Sequence, residues 1–254
     1  MIRISLRFWK VWRRNFDSFM KYIYVNLMGN LGDPVLYLLA MGLGLGKFLG
    51  EMQGVSYVQF LAPGVIVSAG MFAATYECTY ASFLKMFHLK TYDAIVVTPV
   101  NLEDAVAGDI VWGASKALFS GVLMFAVVAV FGLVHSWWSL LVPLLIFIVG
   151  LHFASLAMLV TSLSRSFDFF SYFFELIITP LFFFSGIFFP LDSFPWWLRV
   201  LAYCSPLTHA VTICRALILG HIPPHPHISA AILIVPAVAL FYGSIYLMRR
   251  RMIK

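Results

Sequence analysis

Apolar residues are concentrated in long runs along the chain, and short polar or charged intervals separate one run from the next. A helix that crosses the hydrocarbon core of a bilayer needs about 20 residues of this kind. The pattern therefore predicts an all-α polytopic membrane protein with six transmembrane helices. The runs cover residues 34–49, 58–84, 117–134, 138–163, 169–189 and 228–248.

Residues 1–22 form an amphipathic pattern rather than an apolar run. A helix with an aromatic face and a basic face lies in the membrane interface, with its cations against anionic headgroups. We therefore expect an N-terminal interfacial elbow helix, and a plain basic tail on the cytosolic side is the alternative. The aromatic face carries Phe8, Trp12, Phe16, Phe19 and Ile23, and the basic face carries Arg3, Arg7, Lys10, Arg14, Asp17 and Lys21.

The fifth run passes without a charged spacer into residues 190–225, which are too interrupted to cross the membrane a second time. Broken backbone at membrane depth is tolerated only where it is buried in protein or lines a wet cavity. We therefore expect re-entrant outer helices between spans five and six, forming one wall of a pathway. The breakers are Gly186, Pro190, Pro195 and Pro206, while Trp196, Trp197 and Tyr203 suit the interface.

Residues 85–116 are the one long polar interval between the predicted spans. Asn101, followed three positions later by Asp104, resembles a helix cap with an acidic first turn. The pattern predicts a short helix on the cytosolic side, and a plain cap on the third span is the alternative. Glu103, Asp104 and Asp109 would then form an acidic rim suited to a partner protein.

Two carboxylates, Glu77 and Glu175, fall inside predicted spans, where each costs about 2.5–3.5 kcal/mol unless a partner or water compensates. One reading places them on a translocation pathway, with aromatic residues nearby to contact the cargo. In the other, Glu77 lies at the cytoplasmic interface beside Lys85, and the aromatic residues pack between helices or face lipid. The candidate pathway residues are Tyr76, Glu77, Tyr172, Phe174, Glu175, Phe182 and Phe183.

Composition and charge agree with a multi-pass protein, since 62% of the 254 residues are hydrophobic and only 11% are charged. The formal net charge of +6 is spread over short loops instead of forming a basic domain, so nucleic acid is not an expected partner. Placing both termini in the cytoplasm leaves only Lys47, Arg199 and Arg215 outside among seventeen lysines and arginines.

The chain offers no nucleotide site that we can find. The run GLGLGKF imitates a phosphate loop, but Met41 and Phe48 stand where that motif needs Gly and Ser or Thr. We therefore expect no catalytic residue and no cofactor in this chain.

Cysteine and histidine positions give weak signals. Cys78, Cys204 and Cys214 lack metal-ligand spacing and suit small apolar packing positions, although a disulfide between the last two stays open. His221, His225 and His227 could form a metal cluster, but the prolines among them and the lack of a nearby carboxylate favour an ordinary loop. We predict no metal site.

Two stretches carry a more specific signal, KTYDAIVVTPVNLEDAVAGDIVWGASKAL and FFFSGIFFPLDSFPWWLRVLAYCSPLTHAVTICRAL. With the elbow and the six runs, they resemble the type-2 ABC (ABC-2) exporter permeases, and most of all the NodJ branch named for nodulation factor export. The resemblance covers essentially residues 1–254, as a single ABC-2 transmembrane domain. It implies a permease homodimer in the bacterial cytoplasmic membrane, with two copies of a separate cytosolic ATPase that holds ATP and Mg.

The resemblance also implies roles for particular residues. A cytosolic coupling helix would contact the ATPase through Thr98, Pro99, Val100, Asn101, Leu102, Glu103 and Asp104. The broken outer helices would cap the pathway, with a gate formed by Phe188, Phe189, Pro190, Phe194, Pro195, Trp196 and Pro206.

The function implied is ATP-driven export of an amphipathic substrate, a lipo-oligosaccharide or glycolipid, by a transport subunit surrounded by membrane lipids. A multidrug or other lipid exporter shares the architecture and stays open. An ion-coupled transporter usually has internal repeats, and none is evident here. A membrane enzyme would need a nucleophile with a base, which is also missing. A scaffold without transport is the remaining alternative.

Overall fold

The computed structural model describes residues 4–220 and 226–252, which are almost entirely helical. This confirms the all-α prediction.

The first half contains four helices and one small hairpin within the described residues. Helix α2 is continuous through Pro34 and contains a π-helical segment, Leu38–Leu45; α3 contains two, Glu77–Ala81 and Leu84–His88. The antiparallel strands β1 and β2 join α2 to α3. The elements are α1 (Phe8–Lys21), α2 (residues 23–49), β1 (Glu51–Met52), β2 (Val55–Ser56), α3 (Tyr57–His88) and α4 (Thr91–Val96).

The second half contains long helices followed by a broken segment. Helix α7 ends at Phe184, and Gly186 follows with φ +77°, a left-handed conformation that terminates the helix short of the predicted residue 189. The elements are α5 (Leu102–Val130), α6 (Trp137–Leu163), α7 (residues 168–184), a 3₁₀ turn (Leu191–Ser193), α8 (Trp196–Cys204), α9 (Pro206–Leu219) and α10 (Pro226–Met252).

Four of these helices, α3, α5, α6 and α10, are long and apolar enough to cross a membrane, and α8 with α9 makes a fifth if that bent pair counts as one span. The pair is bent by 82°, as in a broken span or a re-entrant segment. The predicted first and fifth spans fall on α2 and α7. The count of six spans therefore stays a prediction, as does the re-entrant path of residues 190–225, of which 221–225 lie outside the described residues.

The centre of the bundle is α3, which packs against α5 and α6, while α10 packs along α6. Small residues bring α5 and α6 into close contact. A Cβ placed on Gly150 would lie 2.7 Å from Cβ of Ala117, so only glycine fits this crossing.

We call one end of the bundle the terminal end, because the first and last described segments of the chain lie there, and the opposite end the distal end. At the terminal end, the Ser5 amide donates to Asp104 Oδ1 (2.6 Å), and Arg251 donates to the carbonyl of Thr161 (2.8 Å) at the end of α6. At the distal end, the His135 amide donates to the carbonyl of Ile218 (3.0 Å). Each long helix runs from one end to the other.

The amphipathic prediction for the N-terminal stretch agrees with helix α1, but this helix does more than lie in an interface. Val11, Asn15 and Phe19 are buried against α5. Trp9 and Phe16 are more exposed, although Phe16 still meets the edge of Trp112 of α5 at 6.3 Å between ring centroids. One face of α1 therefore belongs to the protein core, and the remaining aromatic surface is free to contact lipid.

The prediction of a separate short helix starting at Asn101 is wrong. Asn101 is the cap position of α5, which continues without a break to Val130, and its side chain makes no capping hydrogen bond. A short helix does occur in the polar interval, but earlier, as α4. The alternative reading, a plain cap on a long spanning helix, describes the structure.

Candidate functional site

An aromatic seam joins α3 to α7. The ring of Tyr76 stacks on that of Phe174 at 4.5 Å between centroids, and Phe72 meets the edge of Phe182 at 5.3 Å. Further along, Phe83 meets the edge of Phe167 at 4.8 Å. Aromatic positions three and four residues apart on α3 lie on one helical face, so the seam follows from the sequence spacing.

Beside the seam lies a groove of about 280 Å³ between α2, α3 and α7. Its walls are mostly apolar, with five aromatic side chains among them, and Ser68, Lys116 and Thr179 supply polar groups. A surface with apolar walls and a few polar groups is the usual form of a site for an amphipathic ligand. The aromatic walls are Tyr37, Phe72, Tyr76, Phe182 and Phe183.

A network of buried charges lies at the terminal end of this groove. The ammonium group of Lys85 bridges Glu77 Oε1 and Asp109 Oδ1, at 3.2 Å from each. Lys116 Nζ lies 3.0 Å from the other oxygen of Glu77. Two carboxylates and two ammonium groups thus compensate one another, as buried charges require.

Asp109 is the most connected member of this network. It accepts hydrogen bonds from Asn15 of α1 (2.5 Å) and from the Tyr92 hydroxyl of α4 (2.6 Å). Burial, reinforced by the Asp109 charge, raises the pKa of Tyr92 well above its ordinary value. Tyr92 therefore stays protonated and remains a donor. The network connects four helices, since Glu77 and Lys85 belong to α3.

The prediction of an exposed acidic rim is wrong, because all three carboxylates are buried. Glu103 pairs with Arg249 of α10 at 3.0 Å, and Asp104 accepts the Ser5 amide. Asp109 lies in the charge network. The physical reason is that α1 and the last turn of α10 cover the start of α5 and supply cationic and amide partners.

A polar cavity of about 380 Å³ opens beside the network, under α1. Its lining includes Arg14, Glu77 and Lys85. Lys116 lines this cavity and also the aromatic groove. The polar cavity and the groove therefore share Lys116 as a lining residue, and its ion-pair partner Glu77 lines the polar cavity.

A model of the family described as ABC-2 type transporter matches residues 7–219 of the chain. The chain belongs to this family. Membrane subunits of ABC-2 transporters are transport components that work with an ATPase partner, and they are not themselves catalysts.

Curated relatives cover nearly the whole permease. Nodulation protein J of Rhizobium leguminosarum bv. viciae is 39% identical over 98% of this chain and 96% of its own length. Nodulation protein J of Rhizobium meliloti (strain 1021) is 39% identical over 95% of this chain and 92% of its own. Inner membrane transport permease YadH of Escherichia coli (strain K12) is 26% identical over 91% and 90%, respectively.

Of the pathway residues predicted from sequence, the permease brings five together. Tyr76, Phe174, Phe182 and Phe183 lie along the seam and groove, with Glu77 at their terminal end; the pathway role itself stays a prediction. The other two residues, Tyr172 and Glu175, lie on the outer surface of α7 and are exposed in the single chain. Glu175 is thus not buried among helices as Glu77 is.

The predicted coupling residues divide into two groups. Thr98, Pro99 and Asn101 are exposed in the loop between α4 and α5 at the terminal end, where the guanidinium of Arg7 donates to the Pro99 carbonyl. Leu102 is buried, as are the two carboxylates that follow it. Only the loop residues are free to contact another protein, and their coupling role stays a prediction.

The predicted gate residues all lie near the distal end. Phe188 is buried and meets the edge of Phe182 at 5.0 Å, so the loop after α7 closes this end of the seam. Trp196 and Phe189 are exposed, as expected for rings at a membrane interface. Pro190 borders a separate cavity at this end.

Arg215 is a residue whose role the sequence reading missed. It was expected on the outer side, within the re-entrant segment of residues 190–225, with no partner named; it lies in α9 with its guanidinium 3.8 Å from the ring centroid of Phe60. Its Nη2 donates to the carbonyls of Phe60 (3.0 Å) and Gly186 (2.9 Å). The sequence does contain a signal for this role, because a cation inside an apolar helical stretch requires partners just as Glu77 does.

The weak cysteine and histidine signals lead to no site within the described residues. Cys78 and Cys214 are buried free thiols, as expected of packing residues, and Cys204 is an exposed free thiol. His221 and His225 lie outside the described residues. Among residues 4–220 and 226–252, which include His227, no group of three metal-ligating side chains occurs.

Proposed function

We propose that this chain is the membrane subunit of an ATP-driven exporter that moves an amphipathic molecule, a lipo-oligosaccharide or glycolipid, out across the bacterial cytoplasmic membrane. The names of the relatives refer to nodulation and to inner-membrane transport. A multidrug or other lipid cargo is the nearest variant of the proposal.

One observation carries this proposal: Lys116, which is paired with Glu77, lines both a polar, charged cavity and an aromatic groove. An amphiphile has a polar head and an apolar tail, and the two cavities offer one environment for each. Aromatic rings such as Tyr76 and Phe182 pack on the apolar faces of sugar rings or on acyl chains. A purely ionic cargo would gain no binding energy from contact with these aromatic walls.

The terminal end is the side that we assign to the cytoplasm, because the basic residues of α1 and Arg249, Arg250 and Arg251 cluster there. The exposed loop from Val97 to Asn101 lies at the same end, and Val97 is 86% exposed. An exposed loop on the cytoplasmic side is accessible to a cytosolic partner protein. We assign this loop to the ATPase.

Movement of the ATPase would reach the groove through a short physical path. The loop joins α4 to α5, and both helices contribute to the charge network through Tyr92 and Asp109. Lys85 and Glu77 carry the connection into α3, which forms a wall of the groove. Two ATPase copies and a second copy of this chain complete the proposed assembly.

An ion-coupled transporter is the second candidate, and the buried network is the observation that favours it. Ionisable groups inside membrane helices often mark ion or proton pathways. The network here is neutral in sum and fully paired, with Glu77, Lys85 and Asp109 each holding opposite charges within 3.2 Å. Such pairing suits a structural role better than proton binding.

The experiment that separates these candidates uses the purified chain in lipid vesicles, alone and with the product of a neighbouring phosphate-loop gene. We expect ATPase activity only when both proteins are present, and uptake of a fluorescent acylated tetrasaccharide into inside-out vesicles only with ATP. Uptake driven by a pH gradient without the ATPase would establish the ion-coupled candidate and overturn the exporter.

A further inference from the structure

The loop that follows α7 lies between two cavities. Residues 185–190, which we call the closing loop, join the end of α7 to the 3₁₀ turn, and positions 185–188 are buried. On one side the loop packs into the distal end of the aromatic seam. On the other side it borders a cavity of about 640 Å³, which α8, α9 and the start of α10 also line.

Two apolar side chains of the closing loop fill the end of the seam. Phe188 meets the edge of Phe182 at 5.0 Å and stacks on Phe183 at 5.6 Å between ring centroids, and both of these partner rings line the groove. Ile187 packs on α3, where a Cβ added to Gly64 would lie 2.7 Å from its Cγ2 atom. Close packing of the loop therefore separates the groove from the distal cavity.

The opposite side of the closing loop faces open space. Ser185, Gly186 and Pro190 line the distal cavity, so an outward movement of the loop has room there. Such a movement would withdraw Ile187 and Phe188 from the seam and would join the groove to the distal cavity.

A side chain of α9 ties the closing loop to the helices. Within the part of the chain that the structure describes, residues 186–189 make no backbone–backbone hydrogen bond. Arg215 donates through Nη2 to the Gly186 carbonyl (2.9 Å) and to the Phe60 carbonyl of α3 (3.0 Å). A buried carbonyl requires a donor, and the rigid fork of a guanidinium can serve two carbonyls at once. Arg215 thus connects the loop to both α3 and α9.

The ring of Phe60 fixes the guanidinium in this bridging position. Its centroid lies 3.8 Å from Cζ of Arg215, which is within the range of a cation–π contact. Nε of Arg215 also donates to the Phe60 carbonyl (3.4 Å). The orientation of the guanidinium is therefore set by α3, and the position of the loop is set by the guanidinium.

Helix α9 is placed to carry Arg215 away from the loop. The pair α8 and α9 is bent by 82°, with Pro206 at the start of α9, so α9 is a separate rigid segment. Near its other end, the Ile218 carbonyl accepts a hydrogen bond from the His135 amide, in the loop that follows α5 (3.0 Å). Helix α5 starts beside the loop assigned to the ATPase and runs unbroken to Val130. A tilt of α5 would therefore reach the turn of α9 that carries Arg215.

We infer that Arg215 is the latch of the outer gate: it holds the closing loop against the seam, and its withdrawal from the Gly186 carbonyl lets the loop move into the distal cavity. The inference rests on the proposed function, since a gate serves a cargo that passes along the groove. It adds to that function the positioning residue that keeps the distal end of the groove shut.

The test measures how accessible the closing loop is in the purified full chain in nanodiscs. Ile187→Cys places a thiol at a fully buried loop position, in a Cys204→Ser background that removes the exposed native thiol. The rate of its reaction with a membrane-impermeant maleimide is measured without ATPase or ATP. We expect slow labelling when Arg215 is present and labelling at least fivefold faster in Arg215→Met, which keeps an apolar stem and loses the donors.

Arg199→Met is the matched control for the latch. Arg199 donates to the carbonyls of Asp192 and Phe194, which lie beyond the closing loop. Its removal should leave the labelling rate of Ile187→Cys unchanged. A rise equal to that caused by Arg215→Met would mean that any lost arginine loosens this end of the bundle, and it would overturn the inference.

Two further variants separate a latch from a general effect on the fold. Ser193→Cys introduces a thiol at an exposed position in the 3₁₀ turn, and it should react at the same rate with and without Arg215→Met. Arg215→Lys keeps a cation beside Phe60 but has no rigid fork to bridge two carbonyls, so we expect an intermediate labelling rate of Ile187→Cys. Arg215→Lys decides the test if Arg215→Met does not fold.

Turnover supplies a readout that a purely structural contact would not change. With the ATPase and ATP present, the labelling rate of Ile187→Cys should rise several-fold, and Arg215→Met should abolish this response because its loop is already open. Equal ATP-free labelling with and without Arg215→Met, or a response to ATP that this variant leaves unchanged, would overturn the inference. The ATP-free comparison needs no ATPase, so the latch can fail while ATP-driven uptake persists, and it can stand where that uptake fails.

Discussion

The ammonium group of Lys116 lies 3.0 Å from Oε2 of Glu77, and Lys116 lines both the polar cavity under α1 and the aromatic groove. The two residues belong to different helices, α5 and α3. Glu77 also pairs with Lys85 through its other oxygen. The junction between the two cavities is therefore held by a carboxylate with two partners and by an ammonium group with one.

The unequal number of partners predicts that removing the two charges lowers the free energy of unfolding by different amounts. Glu77→Gln leaves Lys85 paired with Asp109 and takes from the partly buried Lys116 its carboxylate partner, so it should destabilise the chain by up to about 3–5 kcal/mol, the usual cost of orphaning a buried charge. Lys116→Met leaves Glu77 paired with Lys85 and should cost less. The two variants can be compared by heating each in detergent and measuring the loss of its monodisperse peak as it unfolds. Equal losses, or a larger loss for Lys116→Met, would contradict this account of the network.

Gly108 allows α1 to lie against α5. A Cβ at this position would be 2.7 Å from the backbone oxygen of Phe8, and backbone cannot give way as a side-chain tip can. Gly108→Ala should displace α1 and increase proteolysis at the N-terminal helix. Gly44→Ala is the control, because a Cβ there meets no atom within 4 Å among the described residues. Identical digestion of both variants would mean that α1 is not held as described.

The loop assigned to the ATPase yields a prediction about coupling rather than stability. Val97→Asp should reduce the ATPase activity of the reconstituted complex several-fold and leave Tm unchanged, because Val97 is 86% exposed in the single chain. Val130→Asp is the matched control, since Val130 is 88% exposed at the other end of α5. If both variants keep full activity, the loop is not the coupling surface.

Glu175 is exposed in the single chain, so the fold of one copy does not depend on its charge. We expect Glu175→Ala to reduce export without preventing assembly, because the proposed second copy would bring this carboxylate to the pathway. Asp168→Ala, at the exposed start of the same helix, is the control. Export at equal expression should fall for the first variant and not for the second; unchanged export would remove Glu175 from the pathway.

The helices could be predicted from the sequence because the apolar runs are long and their ends carry Gly, Pro or charged residues. The burial of Asp109 could not, because it depends on Asn15, which lies 94 positions away in the chain and on another helix. Glu103 is a similar case, since its partner Arg249 comes from the last turn of α10. Local patterns identify such residues as polar, and only tertiary packing decides whether they face solvent.

For the aromatic residues as well, the sequence predicts which helix face they occupy, and tertiary packing decides what that face contacts. The spacing of Phe72, Tyr76 and Tyr80 places all three on one face of α3, and this can be predicted from the sequence alone. That this face meets α7, and not lipid, follows from stacking with Phe174. The pathway candidates on α7 were therefore identified without their partners on α3, apart from Tyr76.

The most direct measurement of the central claim is the initial rate of ATP-dependent uptake of a fluorescent acylated tetrasaccharide into inside-out vesicles that contain the chain and its ATPase. We predict uptake that requires ATP hydrolysis and that falls at least fivefold in Tyr76→Ala, which opens the groove wall beside Phe174 and Phe182, at unchanged ATPase content. Uptake that needs no ATP, or that Tyr76→Ala leaves unchanged, would contradict the assignment of this groove as the export pathway.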